Sequence, residues 1–221
     1  VAFWPELNEA SRRQLLAQLQ EIDWPYLDQL IRQYVLGTAK FELDLSDVVP
    51  APYYPLEAKP QDAAFYAKAK AEGEALLRAG KVAGFTVAGG QGTRLGFDAP
   101  KGTFPIGPIS GKSLFQIFAE GLARAQEKYG CAIPWYVMTS PINDAPTREF
   151  FAANNYFGLD PRNVSFFPQG TMPAVGLDGK LLLAAKDSLA LSPNGHGGAL
   201  LAMRTSGALA DMKKRGVEHI S

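Results

Sequence analysis

Near the start of the chain, Leu15, Leu16, Leu19 and Ile22 recur at the spacing that lines up one face of a helix. Leu27, Leu30, Ile31, Tyr34 and Val35 repeat that spacing after a break at Trp24-Pro25. A proline there suits the first turn of a new helix, where its missing N–H costs nothing, with Asp23 or Trp24 near the cap. The pattern predicts helical structure over residues 6–36, stopped at Gly37. Residues 44–60 carry Pro50, Pro52, Pro55 and Pro60 with few helix formers, which predicts an extended connector. The expected organisation is a small helical N-terminal lobe with its Pro-rich connector over 1–60, and a main domain over 61–221.

In the main domain the period alternates. An Ala-rich helix over 62–79, ended by Gly80, leads into an apolar strand at 82–88. A helix over 112–128, opened near Ser110 or Ser113, precedes a strand at 133–139. A helix over 144–154 and a strand at 163–168 follow, then an irregular Gly/Pro-rich segment to about residue 198, one helix over 199–215, and a new apolar start at 216–220. Strands separated by helices of this length predict βαβ units and an α/β, three-layer, mainly parallel sheet. The chain stops at Ile220-Ser221, inside an apparent strand, so the expectation is a fragment with an incomplete sheet, an ordered tail being the alternative.

Composition narrows the function classes. The 221 residues carry 22 basic and 22 acidic side chains, so no general attraction for nucleic acid is expected. Lys213-Lys214-Arg215 reads as the solvated end of a helix. The single cysteine, Cys131, excludes an internal disulfide and fits a reducing, cytoplasmic setting, most simply as a small packed thiol. No apolar run nears the roughly 18 residues of a membrane span, and Val1-Ala-Phe-Trp-Pro-Glu6 does not resemble a secretory signal. Asn163-Val-Ser165 then reads as an accidental sequon.

Candidate chemistry concentrates where the first strand ends, in Val87-Ala-Gly-Gly-Gln-Gly-Thr-Arg-Leu-Gly96 followed by Pro100-Lys101-Gly102. Glycines let backbone N–H groups approach a ligand closely, and a concave row of them binds anions, phosphates above all. Arg94 adds a planar, bidentate charge and Lys101 a compact one. In parallel sheets ligands bind beyond the carboxyl ends of strands, which is where this loop falls. Spacing alone leaves several readings open. Gly107-Pro-Ile-Ser-Gly-Lys-Ser113 approaches a nucleoside-triphosphate P-loop but has three residues between its glycines, not four. Gly90-Gln-Gly-Thr-Arg-Leu-Gly96 departs in its second gap from a dinucleotide fingerprint, and a glycine-rich turn with a surface arginine also fits.

Taken whole, Ala88-Gly-Gly-Gln-Gly-Thr-Arg-Leu-Gly96 with Pro100-Lys101-Gly102 resembles the signature of the eukaryotic-type UDP-sugar pyrophosphorylase family, which includes UDP-N-acetylhexosamine and UDP-glucose pyrophosphorylases. Leu114-Phe-Gln-Ile117, Ile133-Pro-Trp-Tyr-Val-Met-Thr-Ser140, Phe166-Phe-Pro-Gln-Gly-Thr-Met-Pro-Ala174 and Ser192-Pro-Asn-Gly-His-Gly-Gly198 resemble further family segments in the same order. The resemblance runs from about residue 82 to 221 and is weaker in the N-terminal helices. It implies the Rossmann-like fold of nucleotide-diphospho-sugar transferases and a reaction joining UTP to a sugar 1-phosphate with release of pyrophosphate.

The roles it implies are these. Ala88, Gly89, Gly90, Gly92 and Thr93 would contact the nucleotide, with the amides of Gly89, Gly90 and Gly92 as its cradle. Arg94 would bind the triphosphate, and Lys101 would neutralise the departing pyrophosphate. Gln169 would read uracil, since a carboxamide offers donors and acceptors to the imide edge. Gly195 would let the backbone approach the base, and His196 would touch the sugar. His196-Gly197-Gly198 mixes the acetylhexosamine and glucose types, so N-acetylglucosamine 1-phosphate is the expected partner, with glucose 1-phosphate as alternative. Magnesium is expected in the complete enzyme, its Asp ligand lying beyond Ser221. This polypeptide by itself is therefore expected to bind UTP weakly without turnover. A non-catalytic nucleotide-binding module, or a P-loop protein using Lys112, are the competing classes.

Overall fold

The computed structural model describes residues 3–37 and 45–221, so residue 44, at the start of the expected connector, lies outside the described residues. The chain folds as two compact units, one of residues 1–53 with 171–194 and one of residues 54–170 with 195–221. The division differs from the sequence expectation, which placed one boundary at residue 60.

In the first unit, α1 (Glu9–Gln20) is capped by Asn8, whose side chain accepts from the Ser11 N–H, and α2 (Trp24–Leu30) by Asp23, whose side chain accepts from Tyr26 N–H. The helical run ends in a single π turn, Ile31–Val35. The segment 171–194 belongs with these helices because its apolar residues need them. Leu189 is buried with Leu7 and Leu15, and Leu181, Leu183, Leu19 and Ile22 pack around them. Asp187 accepts from the Ser11 hydroxyl at 2.7 Å, and Gln18 accepts from the Leu189 N–H at 2.8 Å. This segment is not irregular, as expected from its Gly and Pro content. It holds four short strands, numbered β4 (Thr171–Pro173), β5 (Leu183–Ala185), β6 (Ser188–Leu189) and β7 (Leu191–Pro193), pairing as β4 with β7 and β5 with β6.

The second unit begins with α3 (Ala63–Arg78), ended at Gly80 with φ +68°. It is then built on β1 (Val82–Val87), α4 (Leu114–Tyr129), β2 (Trp135–Thr139), α5 (Asp144–Ala153) and β3 (Val164–Pro168). Ser113 caps α4 by accepting from Gln116 N–H at 3.2 Å. The expected helix over 199–215 is two helices, α6 (Ala199–Thr205) and α7 (Ala208–Lys214), because Gly207 breaks it with φ +83°. The last strand is β8 (His219–Ile220). Strand order is β3-β2-β1-β8, all parallel. Successive strands are thus added on one side of β1 and then on the other, the arrangement that opens a crevice above the carboxyl ends.

Alternation along the central strands makes two cores. Ala83, Tyr136, Met138 and Phe167 face α6 and α7 together with Met203 and Met212. Trp135, Val137 and Val164 face the other way, packing with Phe115 of α4 and Phe151 of α5. Gly84 fits this second face because a Cβ there would come within 3.4 Å of the Trp135 ring. The indole of Trp135, fully buried, donates to the Thr86 hydroxyl at 2.9 Å, so its one polar atom is satisfied.

Candidate functional site

The loop after β1 is held from below. Its first N–H, on Ala88, donates to the Met138 carbonyl at 2.7 Å and extends the sheet by one residue. Lys101 N–H donates to the Gly90 carbonyl at 3.0 Å, and Gly92 N–H to the Ala99 carbonyl at 2.9 Å, so that residues 90–92 and 99–101 form a small antiparallel ladder. Thr93–Leu95 make one 3-10 turn that ends on Gly96, φ +66°. Among the described residues, the N–H groups of Gly89, Gly90, Gln91, Thr93 and Arg94 have no hydrogen-bond partner. Five such donors in six residues are the raw material of an anion cradle. Gly92 itself corrects one expectation: its N–H is spent on Ala99 and is not part of the cradle. Ala88 likewise has its N–H and its carbonyl engaged inside the protein, the carbonyl by Asn143.

Lys101 and Arg94 flank the row. A Cβ on Gly90 would lie 3.9 Å from the Lys101 ammonium, which places that charge beside the loop. Both side chains are exposed, and neither has an ion pair or hydrogen bond among the described residues. Lys112, by contrast, is committed. Its ammonium pairs with Glu120 at 2.7 Å, and Gln116 donates to the same carboxylate, holding the Glu120 carboxyl below its ordinary range. Gly107 N–H donates to the Lys112 carbonyl at 3.0 Å, closing the segment on itself. The P-loop reading of Gly107–Ser113 therefore loses both its lysine and its open backbone.

Gln169 follows β3 and is buried, 7% exposed. Its N–H donates to the Thr139 carbonyl at 2.8 Å, continuing the ladder between β2 and β3. Its carboxamide lies over Gly89, where a Cβ would come 2.5 Å from Nε2. That carboxamide makes no hydrogen bond among the described residues. Its polar atoms reach solvent, so a ligand could take the place of water on them. Gly195 adopts φ +75° and accepts from Gly198 N–H at 3.2 Å, opening the turn His196–Gly198. The His196 side chain lies outside the described residues. The structure thus gathers Gly89, Gly90, Arg94, Lys101 and Gln169 around one strand end, whereas no hydrogen bond among the described residues joins Gly195 to them.

Sequence reasoning missed Asn143. It is fully buried, and its amide nitrogen donates to the carbonyls of Ala88 and Gly90 at 3.2 and 3.3 Å. An Asn just before a helix reads as a cap, and only its tertiary contacts reveal the other role. Among the described residues no three His, Cys, Asp or Glu side chains converge as a metal cluster. No helix among the described residues is long and apolar enough to cross a membrane.

Residues 30–221 match the family model described as UTP–glucose-1-phosphate uridylyltransferase. The chain is 36% identical to UDP-N-acetylglucosamine diphosphorylase 2 of Arabidopsis thaliana, over 99% of this chain and 45% of the relative. It is 39% identical to UDP-N-acetylhexosamine pyrophosphorylase-like protein 1 of Homo sapiens, again over 99% of this chain and 45% of the relative. It therefore spans about half the length of the curated relatives it matches. A crystal structure of the uridine diphosphate N-acetylglucosamine pyrophosphorylase of Trypanosoma brucei superposes with a TM-score of 0.77 at 29% identity, over 96% of this chain and 46% of that one. Fold, strand-end loop and sequence agree, and the chain belongs to the UDP-sugar pyrophosphorylase family.

Proposed function

We propose that this chain carries the UTP grip of a uridylyltransferase that joins UTP to a sugar 1-phosphate, N-acetylglucosamine 1-phosphate in the first instance, releasing pyrophosphate. The observation that carries the reading is the unpartnered Gln169 carboxamide beside a row of free N–H groups flanked by Arg94 and Lys101. A base would complete the carboxamide, and a triphosphate the row and its two cations. Nucleotidyl transfer asks for alignment and charge neutralisation more than for a nucleophilic side chain. In this assignment Arg94 holds the triphosphate and Lys101 offsets the charge that develops on departing pyrophosphate. Ala88 and Thr93 would border the nucleotide, Gly195 would give the base room, and His196 is assigned to the sugar. Magnesium would reach the site with the phosphates, which would share its coordination with water and one or two carboxylates. A cytoplasmic setting accords with the single free Cys131.

Titration calorimetry of the chain with UTP, CTP and ATP tests the grip. UTP should bind preferentially, and Gln169→Ala should lower UTP affinity about tenfold and level the preference, as expected for one or two lost hydrogen bonds. Arg94→Ala should weaken all three nucleotides together. Nucleotide binding that ignores both substitutions would sink the reading. Glucose 1-phosphate is the second reading for the sugar, favoured by the histidine at position 196. Calorimetry of the chain with UDP-N-acetylglucosamine and with UDP-glucose separates the two.

A further inference from the structure

Asn143 stands at the N-cap position of α5, where an Asn side chain ordinarily accepts from the first turn of the helix. It makes no such bond. Instead its Oδ1 accepts from the Ser140 N–H at 2.8 Å and from the Ser140 hydroxyl at 2.9 Å. That fixes the carboxamide and its flip, leaving Nδ2 to reach 55 and 53 residues back to the carbonyls of Ala88 and Gly90. All four polar contacts are made by a side chain with 0% exposure. A buried group so placed restrains its partners: losing its bond to Ala88 would strand that carbonyl, and losing its bond to Gly90 would leave that carbonyl with the Lys101 N–H alone.

The consequence lies on the opposite side of the loop. In a trans peptide the C=O of one residue and the N–H of the next point in opposite directions, and none of the peptide bonds here is cis. Pinning the Ala88 and Gly90 carbonyls toward Asn143 therefore turns the N–H groups of Gly89 and Gln91 away from it, and these are two of the unpartnered donors. Glycine at positions 89 and 90 would otherwise let these peptides rotate freely.

We propose that Asn143 is a positioning residue of this site: its carboxamide fixes the peptide planes of the glycine loop so that the Gly89 and Gln91 N–H groups face the phosphates of the nucleotide. The proposal rests on the reading of the loop as a triphosphate grip, and names the side chain that makes it a preformed one.

Asn143→Asp gives the sharpest test. A carboxylate would repel both carbonyls, whereas the protonated acid can still donate to one of them while Ser140 donates to its other oxygen. Burial beside carbonyls raises such a carboxyl's pKa. Affinity for UTP and for inorganic tripolyphosphate is measured by calorimetry between about pH 8 and 5.5, as the ratio of variant to unsubstituted chain. Expected is a loss of about tenfold at the alkaline end, shrinking to about threefold at the acid end, with no matching trend in the ratio for Asn143→Ala. Backbone order parameters of the ligand-free protein should fall at Gly89 and Gln91 in Asn143→Ala while β2 stays rigid. A pH-independent ratio, or unchanged order parameters at those two amides, overturns the proposal. If Asn143→Asp does not fold, Asn143→Ser, which keeps one small donor, should fold and lose about three- to tenfold in tripolyphosphate affinity; no loss overturns it equally. Tripolyphosphate bound through Asn143 without preference for UTP would refute the uridine reading and leave the positioning role standing. Failure of the unsubstituted chain to bind either probe would refute both.

Discussion

The second unit carries two glycine-rich segments, and they are held in opposite ways. Around Gly89–Gly92 the backbone is tied by Met138, Asn143, Lys101 and Ala99. Two of its glycines sit against neighbours: a Cβ would come 2.5 Å from Gln169 Nε2 at Gly89 and 2.7 Å from the Phe97 carbonyl oxygen at Gly92. Around Gly195–Gly198 one local bond closes the turn, and a Cβ on Gly195 or Gly197 would meet nothing within 4 Å. The first segment has met its ordering cost on folding, and the second would meet it on binding. Preorganisation thus separates the proposed triphosphate grip, which is ready, from the turn proposed for base and sugar, which is not. Affinity in this chain should come from the first.

Gly92→Ala should break the first segment outright. The new methyl would face the Phe97 carbonyl, its ring at 2.8 Å and the Ala99 carbonyl at 3.1 Å. The Ala99 oxygen cannot swing aside without losing the Gly92 N–H it accepts. Overpacking of this kind costs about 2–3 kcal/mol, or about 5–10 °C in melting temperature for a domain of this size. Thermal and urea melts check it, and an unchanged melt would mean that the segment is as loose as the other one.

Gly89→Ala should act on function and spare the fold. Here the obstruction is the far end of a flexible side chain, which can rotate away at little cost to stability. Rotation removes the Gln169 carboxamide from its place over the loop. UTP affinity should fall about tenfold and the preference over ATP should shrink, while the melting temperature moves by about 1 °C or less. Calorimetry and melting on the same sample separate this from Gly92→Ala, and a large drop in the melt would mean that Gln169 is locked in its pose.

The strand-end loop and its supports were unequally legible in the sequence. β1, α4, β2, α5 and β3 are long enough for apolar periodicity to mark them, and Ser113 announces its helix by its type and place. β4 to β7 are two or three residues each, too short for an alternating pattern to register. The partnership of Leu189 with Leu15 joins residues far apart in the chain, which no local pattern encodes. Gly207 stood inside a helical pattern as a single glycine, and its φ of +83° splits α6 from α7. At the site, glycines, Arg94, Lys101 and Gln169 stood out by residue type and resemblance. Which N–H groups remain free did not, because that depends on the ladder between residues 90–92 and 99–101 and on Asn143.

Acid should separate the two segments further. The first is held by bonds between amides and carbonyls, which do not titrate. The second runs into α6 and α7, and α7 is tied to the sheet by the Tyr136 hydroxyl donating to Asp211 at 2.7 Å, with Arg215 on the same carboxylate. The Tyr136 hydrogen bond, aided by Arg215, holds the Asp211 carboxyl below its ordinary range. A folded pKa below the unfolded one contributes stability that is present above the unfolded value of about 3.9 and is lost as pH falls through the folded value. The Asp211 side chain is 39% exposed, so solvent screens much of the effect. Asp211→Asn should lower the melting temperature by about 1–3 °C at neutral pH. The gap should close once pH has dropped well below the carboxylate range, and a gap that persists there would place the effect in packing.

The smallest expected change carries the opposite sign. Gly197 lies in the 3-10 turn that opens α6, with open space where a Cβ would go. An alanine there narrows the unfolded ensemble without touching a neighbour, which stabilises by about 0.4 kcal/mol where the backbone accepts it. Gly197→Ala should raise the melting temperature by about 1–2 °C and change UTP affinity by less than about twofold. Set beside Gly92→Ala, the same added methyl then destabilises one glycine segment and slightly stabilises the other. A clear fall in the melt of Gly197→Ala would show that the second segment is packed as closely as the first, and the distinction between a preformed grip and an open turn would not hold.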